Sequence, residues 1–347
     1  MTHTPCPPIC ELAAPLEVGE LGAYQLKRLW SRAMAARSGI GIPAGREGHL
    51  EHLVLHALGL GLEQANQYLF QAAPSFEAFE RWIVTTAGAI PPAQVARINA
   101  AVVGQEPPAA TRQWHDAVQA AEPVLSPQDL AFWDEHGYVV LHDAVPPAGC
   151  EAAARATLAY IGARADDPTT WYPPNPNGIM VQLFQHPALE RNRRSQRIHK
   201  AFTQLWGSAD LWVSTDRVGF NAPECPGHAF RGPHLHWDVS LLPPIPFGTQ
   251  GILYLTDTAP AQGALTLVPG FHRRIDAWLD GLPQDAEPRN QDLHALGSTP
   301  IGGRAGDLII WHQALPHGSR PNLTQRPRIV QYINMYPARI EEREVWR

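Results

Sequence analysis

The sequence predicts a mainly β protein with helices, in which a sandwich or barrel of short strands follows a small all-α N-terminal unit. A double-sheet jelly roll is one such architecture. Three observations predict it. Before about residue 104, apolar residues recur at helical spacing. After residue 178, short apolar runs alternate with Gly/Pro clusters. Proline is abundant, 34 of 347 residues, with 28 glycines beside it. That is about twice the average proline usage, yet the two together stay under the roughly 25–30% that marks low-complexity disorder. The prolines therefore belong to turns, linkers and element ends of a folded chain.

Residues 1–20 read as a loose tail. Leu21, Leu26, Leu29, Trp30 and Met34 then recur at steps of three to five and allow one apolar helical stripe. Leu50, Leu53, Val54, Leu55 and Leu58 form a second such run, which Gly59 and Gly61 break. Leu62 to Phe70 continues as a short helix. Ser75 caps a helix carrying Phe76, Phe79, Trp82 and Ile83, and Pro91-Pro92 opens another over Ala93 to Val103. His49, His52 and His56 share one face at i, i+3 and i+7. Nothing nearby would orient them on a metal, so they read as a solvated face. The polar, Pro-flanked stretch 104–124 reads as a linker. The expected domains are thus 1–124, helical with tail and linker, and 125–347.

The second unit starts sharply. Ser126 is an N-cap, Pro127 suits the first helical position and Asp129 completes an S-x-x-D signature. The helix runs from Pro127 to His136, and Gly137 suits its C-terminal stop. Tyr138–Leu141 is a strand, and Pro146-Pro147 opens a helix to about Arg164. Strands are expected at 179–184, 211–220, 234–241, 251–257, 264–268, 307–311 and 328–336, with a helix over 187–205.

Composition narrows the function. A net charge of −6 argues against nucleic-acid binding, which needs a basic face. No apolar run of about 18 residues predicts a membrane span. The N-terminus lacks the blocks of a signal peptide, and Cys6, Cys10, Cys150 and Cys225 show no zinc-type spacing. Free thiols in a cytoplasmic protein are the reading. Oligomeric state is not legible.

The chemistry concentrates in GPHLHWDVS, residues 232–240. On a strand, i and i+2 share a face, so His234, His236 and Asp238 would point together. Imidazole plus carboxylate suits Fe, Mn or Zn. A further ligand must come from elsewhere, and the segment 306–322 offers His312 and His317, the latter after a strand and before a Gly/Ser/Pro/Asn turn. Eleven residues on, Arg328 opens an apolar strand. A buried arginine is costly unless it meets an anion, and its planar fork matches a carboxylate at two points.

Here the chain resembles the phytanoyl-CoA dioxygenase family of Fe(II)/2-oxoglutarate oxygenases, over about 125–347. The resemblance rests on LSPQDLAFWDEHGYVVL at 125–141, on His236-x-Asp238, on QGALTLVPGFH at 262–272, and on the run from Gly306-Asp307 through His317-Gly-Ser to Arg328. Gln262 and Phe271 depart from the usual Asn and Ser. The resemblance implies a double-stranded β-helix, that is, a jelly roll. It implies that His236, Asp238 and His317 hold Fe(II), and that Arg328, with Ser319 and Gln182, binds 2-oxoglutarate. O2 is the cosubstrate, and a small organic substrate is hydroxylated as succinate and CO2 leave. Such chemistry serves natural-product or small-molecule metabolism. Arg217, Asn221 and Trp237, with Trp171 and Tyr172, are expected to line the substrate pocket.

Two alternatives remain open. One is a non-catalytic binding protein that retains the fold. The other is a zinc-dependent hydrolase, since His234-x-His236-x-Asp238 is similar to the H-x-H-x-D-H motif of metallo-β-lactamase-like enzymes, although Val239 stands where a histidine would. His312 reads as structural or as support for the metal site, and His272 as a turn residue.

Overall fold

A computed structural model of the chain describes residues 11–40, 47–175 and 177–341. The expected tail residues 1–10, with Cys6 and Cys10, lie outside the described residues. In chain order the elements are α1 (Leu26–Arg37), α2 (Gly48–Ala57), α3 (Leu62–Ala72), α4 (Phe76–Ala87), α5 (Pro92–Val103), α6 (Ala109–Ala120), α7 (Pro127–His136), β1 (Tyr138–Leu141), α8 (Pro147–Ile161) and β2 (Met180–Val181). There follow α9 (Pro187–Arg193), α10 (Gln196–Trp206), β3 (Trp212–Val213), β4 (Val218–Asn221), β5 (Thr249–Tyr254), β6 (Leu265–Leu267), α11 (Ile275–Asp280), β7 (Thr299–Ile301), β8 (Leu308–His312), β9 (His317–Gly318), β10 (Arg328–Tyr332) and β11 (Met335–Tyr336).

Two compact units emerge. The first gathers Met1–Ala120, Ala209–Asp216 and Pro337–Glu344. It holds α1 to α6, and its buried residues are the stripes read from sequence: Leu26, Leu29, Leu53, Leu55, Phe79 and Ile83. Ser75 caps α4 by accepting from the Ala78 amide. This unit is not the contiguous all-α block expected. It takes in β3, because Arg97 stacks over the Trp212 ring at 3.8 Å and donates to the Leu211 carbonyl at 2.9 Å. Nor is 104–124 simply a linker, since it carries α6. His115 and Val118, one helical step apart, are the buried side of that helix. His49, His52 and His56 are half-buried rather than a solvated face.

The second unit comprises Ala121–Ser208 and Arg217–Tyr336. Its first turn follows the capping signature: the Ser126 amide donates to the Asp129 carboxylate at 2.8 Å, and the Asp129 amide returns to the Ser126 hydroxyl at 3.2 Å. A six-stranded antiparallel sheet runs in the order β1-β8-β5-β10-β4-β2, and a three-stranded antiparallel sheet in the order β7-β6-β9. This pair of antiparallel sheets fits a jelly roll. Alternation along the strands sorts their faces. Ile252 and Tyr254 of β5, Ile309 and Trp311 of β8, and Val330 of β10 share one apolar core with Leu265, Leu267 and Ile301 of the smaller sheet. The opposite face takes helices: Gln331 accepts from the Asn192 amide and donates to the Leu189 carbonyl. The expected helix 187–205 is two, α9 and α10, because Ser195 accepts from the Ile198 amide and starts a new helix.

Candidate metal centre and anion site

The segment 234–241 is not a strand, contrary to the sequence expectation. It forms one bridge, in which His236 and His317 exchange backbone hydrogen bonds at 2.9 and 3.0 Å. Beyond it the backbone acceptors go to a side chain. Arg289 donates one terminal nitrogen to the Trp237 carbonyl and the other to the Val239 carbonyl, each at 2.7 Å. This fork stands where a neighbouring strand would, and ends the ladder. The bridge also depends on Gly318. A Cβ there would lie 2.5 Å from the His234 carbonyl oxygen, so only glycine lets the two segments approach this closely.

The bridge brings His236, Asp238 and His317 together, each with a ligand atom within 4.8 Å of the others. His317 Nε2 is 3.1 Å from Asp238 Oδ2, and His236 Nε2 is 3.4 Å from Asp238 Oδ1. The imidazoles are turned for this by their other nitrogens. His236 Nδ1 lies 2.7 Å from the His234 carbonyl, and His317 Nδ1 lies 3.3 Å from that of Leu315. A carbonyl accepts only, so each Nδ1 carries a proton, and each Nε2 faces Asp238, to which it donates when protonated and beside which it offers a lone pair to a cation once that proton is released. Partial burial would raise the Asp238 carboxyl, but hydrogen bonds with His236 and His317 outweigh it and hold the group well below the usual carboxylate range. Burial would lower His236, yet the hydrogen bond and charge of Asp238 keep it above the ordinary imidazole value. With the Nε2 protons displaced, two imidazole nitrogens and an ionised carboxylate are the donor set of a divalent cation.

Two residues missed by sequence support Asp238. Gln250 Nε2 donates to Asp238 Oδ2 at 2.7 Å, and Trp311 Nε1 donates to Gln250 Oε1 at 2.9 Å. The available signal was a polar residue two before Ile252 and four before Tyr254, on the core-facing side of β5.

Arg328 opens β10 directly opposite Asn221 of β4. Alternation points it the same way as Val330, between the sheets. It is the largest fully buried side chain, and none of its three guanidinium nitrogens has a hydrogen-bond partner among the described residues. A buried cation without a partner is strongly disfavoured, so this position calls for an anion. Ser319, 6% exposed, follows His317 by two residues, and its amide donates to the Pro233 carbonyl at 2.9 Å. Both amide atoms of Gln182 are also buried and without a partner among the described residues.

Gln182 and Asn221 line a cavity of about 870 Å³ together with Trp171, Tyr172, Phe220 and Phe230. The three ligands and Arg328 are not among its lining residues. Asn221 Nδ2 is engaged with the Arg320 carbonyl at 3.1 Å. Two expected pocket residues are corrected. Trp237 is 2% exposed, donates Nε1 to the Ala314 carbonyl and packs in the core against Phe271 and Trp278. Its neighbours His236 and Asp238 face the centre, so it faces away. Arg217 precedes β4 at the end opposite Asn221, where its carbonyl accepts from Tyr332 and its guanidinium lies 5.9 Å over the Phe184 ring. His234 stands outside the ligand cluster, with its ring edge-on to Phe230 at 5.5 Å. That removes the histidine which the hydrolase-like motif requires. His312 packs against Trp133, Phe247 and His272.

A family model described as phytanoyl-CoA dioxygenase matches residues 133–330. An ectoine dioxygenase from Sphingopyxis alaskensis is 26% identical over 239 residues, 60% of this chain and 75% of that relative. Another from Nocardia farcinica is 28% identical over 157 residues, 39% of this chain and 50% of that relative. Among solved structures, EctD from S. alaskensis with bound Fe aligns at 22% identity with a TM-score of 0.46, over 65% of this chain and 82% of that one.

Proposed function

The chain belongs to the phytanoyl-CoA dioxygenase family, and from that premise we propose that it is a non-haem Fe(II)/2-oxoglutarate-dependent dioxygenase that hydroxylates a small organic substrate. The carrying observation is the buried, unpaired guanidinium of Arg328 in the same unit as a His-Asp-His cluster. A buried cation without a partner calls for an anion, and the carboxylate of a 2-oxo acid supplies one.

In this reading His236, Asp238 and His317 would hold Fe(II). Arg328 binds the far carboxylate of 2-oxoglutarate, with the Ser319 hydroxyl and the Gln182 amide as polar companions. Iron and 2-oxoglutarate together supply the oxidising chemistry: decarboxylation to succinate and CO2, coupled to oxidation of a substrate C–H bond with O2. The protein contributes orientation and charge. The Nδ1 anchors keep both imidazoles aimed, and Asp238 stays ionised across the working pH range. The low polarity around Arg328 strengthens its grip on a carboxylate. The cavity bounded by Trp171, Tyr172, Phe220 and Phe230 suits a substrate with a substantial apolar body, since a few hundred to a thousand cubic ångströms is the range for organic ligands.

Anaerobic titration with Fe(II) and 2-oxoglutarate tests the reading, by the visible charge-transfer band that a chelated 2-oxo acid gives. A band requiring both components is expected. If Fe(II) binds and no band forms on adding 2-oxoglutarate, the cosubstrate assignment is wrong. Consumption of 2-oxoglutarate across a substrate panel then identifies the substrate.

A further inference from the structure

We infer that Gln250 is a positioning residue for the metal ligand Asp238, set in orientation by Trp311; this rests on the metal-centre reading above. The argument is one of donors and acceptors. An indole N–H can only donate, and an ionised carboxylate can only accept. A side chain placed between them must present an acceptor to one and a donor to the other, which a primary amide does. The cross-strand pairing of Gln250 with Trp311 puts the two on the same face of neighbouring strands. The indole takes Oε1 at 2.9 Å, so the Nε2 hydrogens must turn to Asp238, where Oδ2 accepts at 2.7 Å. The amide orientation is thereby decided by chemistry at both ends.

Asp238 needs such a support. Its side chain is 56% exposed and sits on a segment without strand pairing at its own position. The Arg289 fork fixes the backbone at 237 and 239, but nothing in that contact sets the carboxylate torsion. Gln250 does so, and by holding one oxygen it restricts how the carboxylate meets a cation.

The test is metal affinity, measured with Mn(II) by calorimetry in the absence of 2-oxoglutarate. Gln250→Leu keeps the side-chain bulk and removes the donor. It is expected to weaken Mn(II) binding by about 10–100-fold, as loss of a ligand's outer hydrogen bond does. Trp311→Phe is expected to give a smaller loss. In the double variant the Trp311 change should add nothing further, because it acts through Gln250. Additive losses, or a Gln250→Leu protein that binds Mn(II) as the unaltered protein does, would overturn the inference. A loss of binding accompanied by a large fall in metal-free thermal stability would assign Gln250 to folding and overturn it equally. Failure of the unaltered protein to bind Mn(II) or Fe(II) would remove the metal centre itself, a result distinct from these.

Discussion

Arg328 faces Asn221 across the β10–β4 pair, and while the asparagine amide is engaged with the Arg320 carbonyl, the arginine's three nitrogens meet no partner among the described residues. A folded protein retains such a group when something outside the chain completes it.

Arg328→Met follows directly. Methionine fills similar space without charge, so the cosubstrate-free variant should be at least as stable as the parent, since an uncompensated buried cation is lost. The parent should gain about 2.7 kcal/mol at a 2-oxoglutarate concentration 100-fold above its Kd, which raises Tm by several degrees. The variant should show almost none of that rise. Thermal unfolding with and without 2-oxoglutarate measures both effects, and a variant that kept the ligand-dependent shift would place the cosubstrate elsewhere.

Gly318→Ala tests the bridge that assembles the ligands. The added Cβ would meet the backbone oxygen and carbon of His234 at 2.5 and 2.7 Å, and backbone cannot rotate away as a side chain can. Overpacking of this kind costs about 1–3 kcal/mol. Because the strained contact lies beside His317, metal affinity should fall as well, by at least about tenfold. Chemical denaturation together with Mn(II) calorimetry reads the pair of effects.

Legibility of this chain from sequence tracked the range of the interactions. The capping pair Ser126 and Asp129, the stop at Gly137 and the helix opening at Pro147 are local, and each appears where the residues placed it. His317 and Arg328 were legible because an imidazole beside a turn and a cation opening an apolar strand are chemically conspicuous. What failed was long-range. The Arg289 fork replaces strand pairing 50 residues away in sequence, so 234–241 read as a strand. Trp237 lies between two ligands and is expected in the substrate pocket for that reason, although local alternation sends it to the core. Arg97 captures Trp212 across more than a hundred residues, and no composition shift marks that event.

His312 makes stability pH-dependent in a defined direction. Burial, with a smaller contribution from His272, lowers its pKa to about 4. The Ala314 amide donates to its Nδ1 at 3.0 Å, a bond that protonation at that nitrogen would destroy. The folded value lies below the unfolded one of about 6.5. Between the two, the unfolded chain binds more protons, so stability rises with pH. The contribution is complete above about pH 6.5 and is lost as pH falls towards 4, on the order of 3 kcal/mol in all. His312→Asn retains an acceptor for the Ala314 amide and removes the titration. Its unfolding free energy should vary less steeply over that window, by up to one proton per molecule, and an unchanged slope would show that His312 is already protonated in the folded protein.

Asp238→Ala separates the metal centre from the fold. The carboxylate is more than half exposed, so its removal leaves the Gln250 amide free to turn towards water, and little desolvation cost remains. Metal-free thermal stability should fall through loss of the contacts with His236, His317 and Gln250, but the protein should stay folded. The two imidazoles stay, anchored through the His234 and Leu315 carbonyls, but they lose the only negative charge among the three proposed ligands. Fe(II)-dependent succinate formation should therefore vanish, while the stabilisation by 2-oxoglutarate that depends on Arg328 falls less. Succinate release at the parent rate from Asp238→Ala would mean that iron is held by other groups, and the role given to His236 and His317 would fall with that of Asp238.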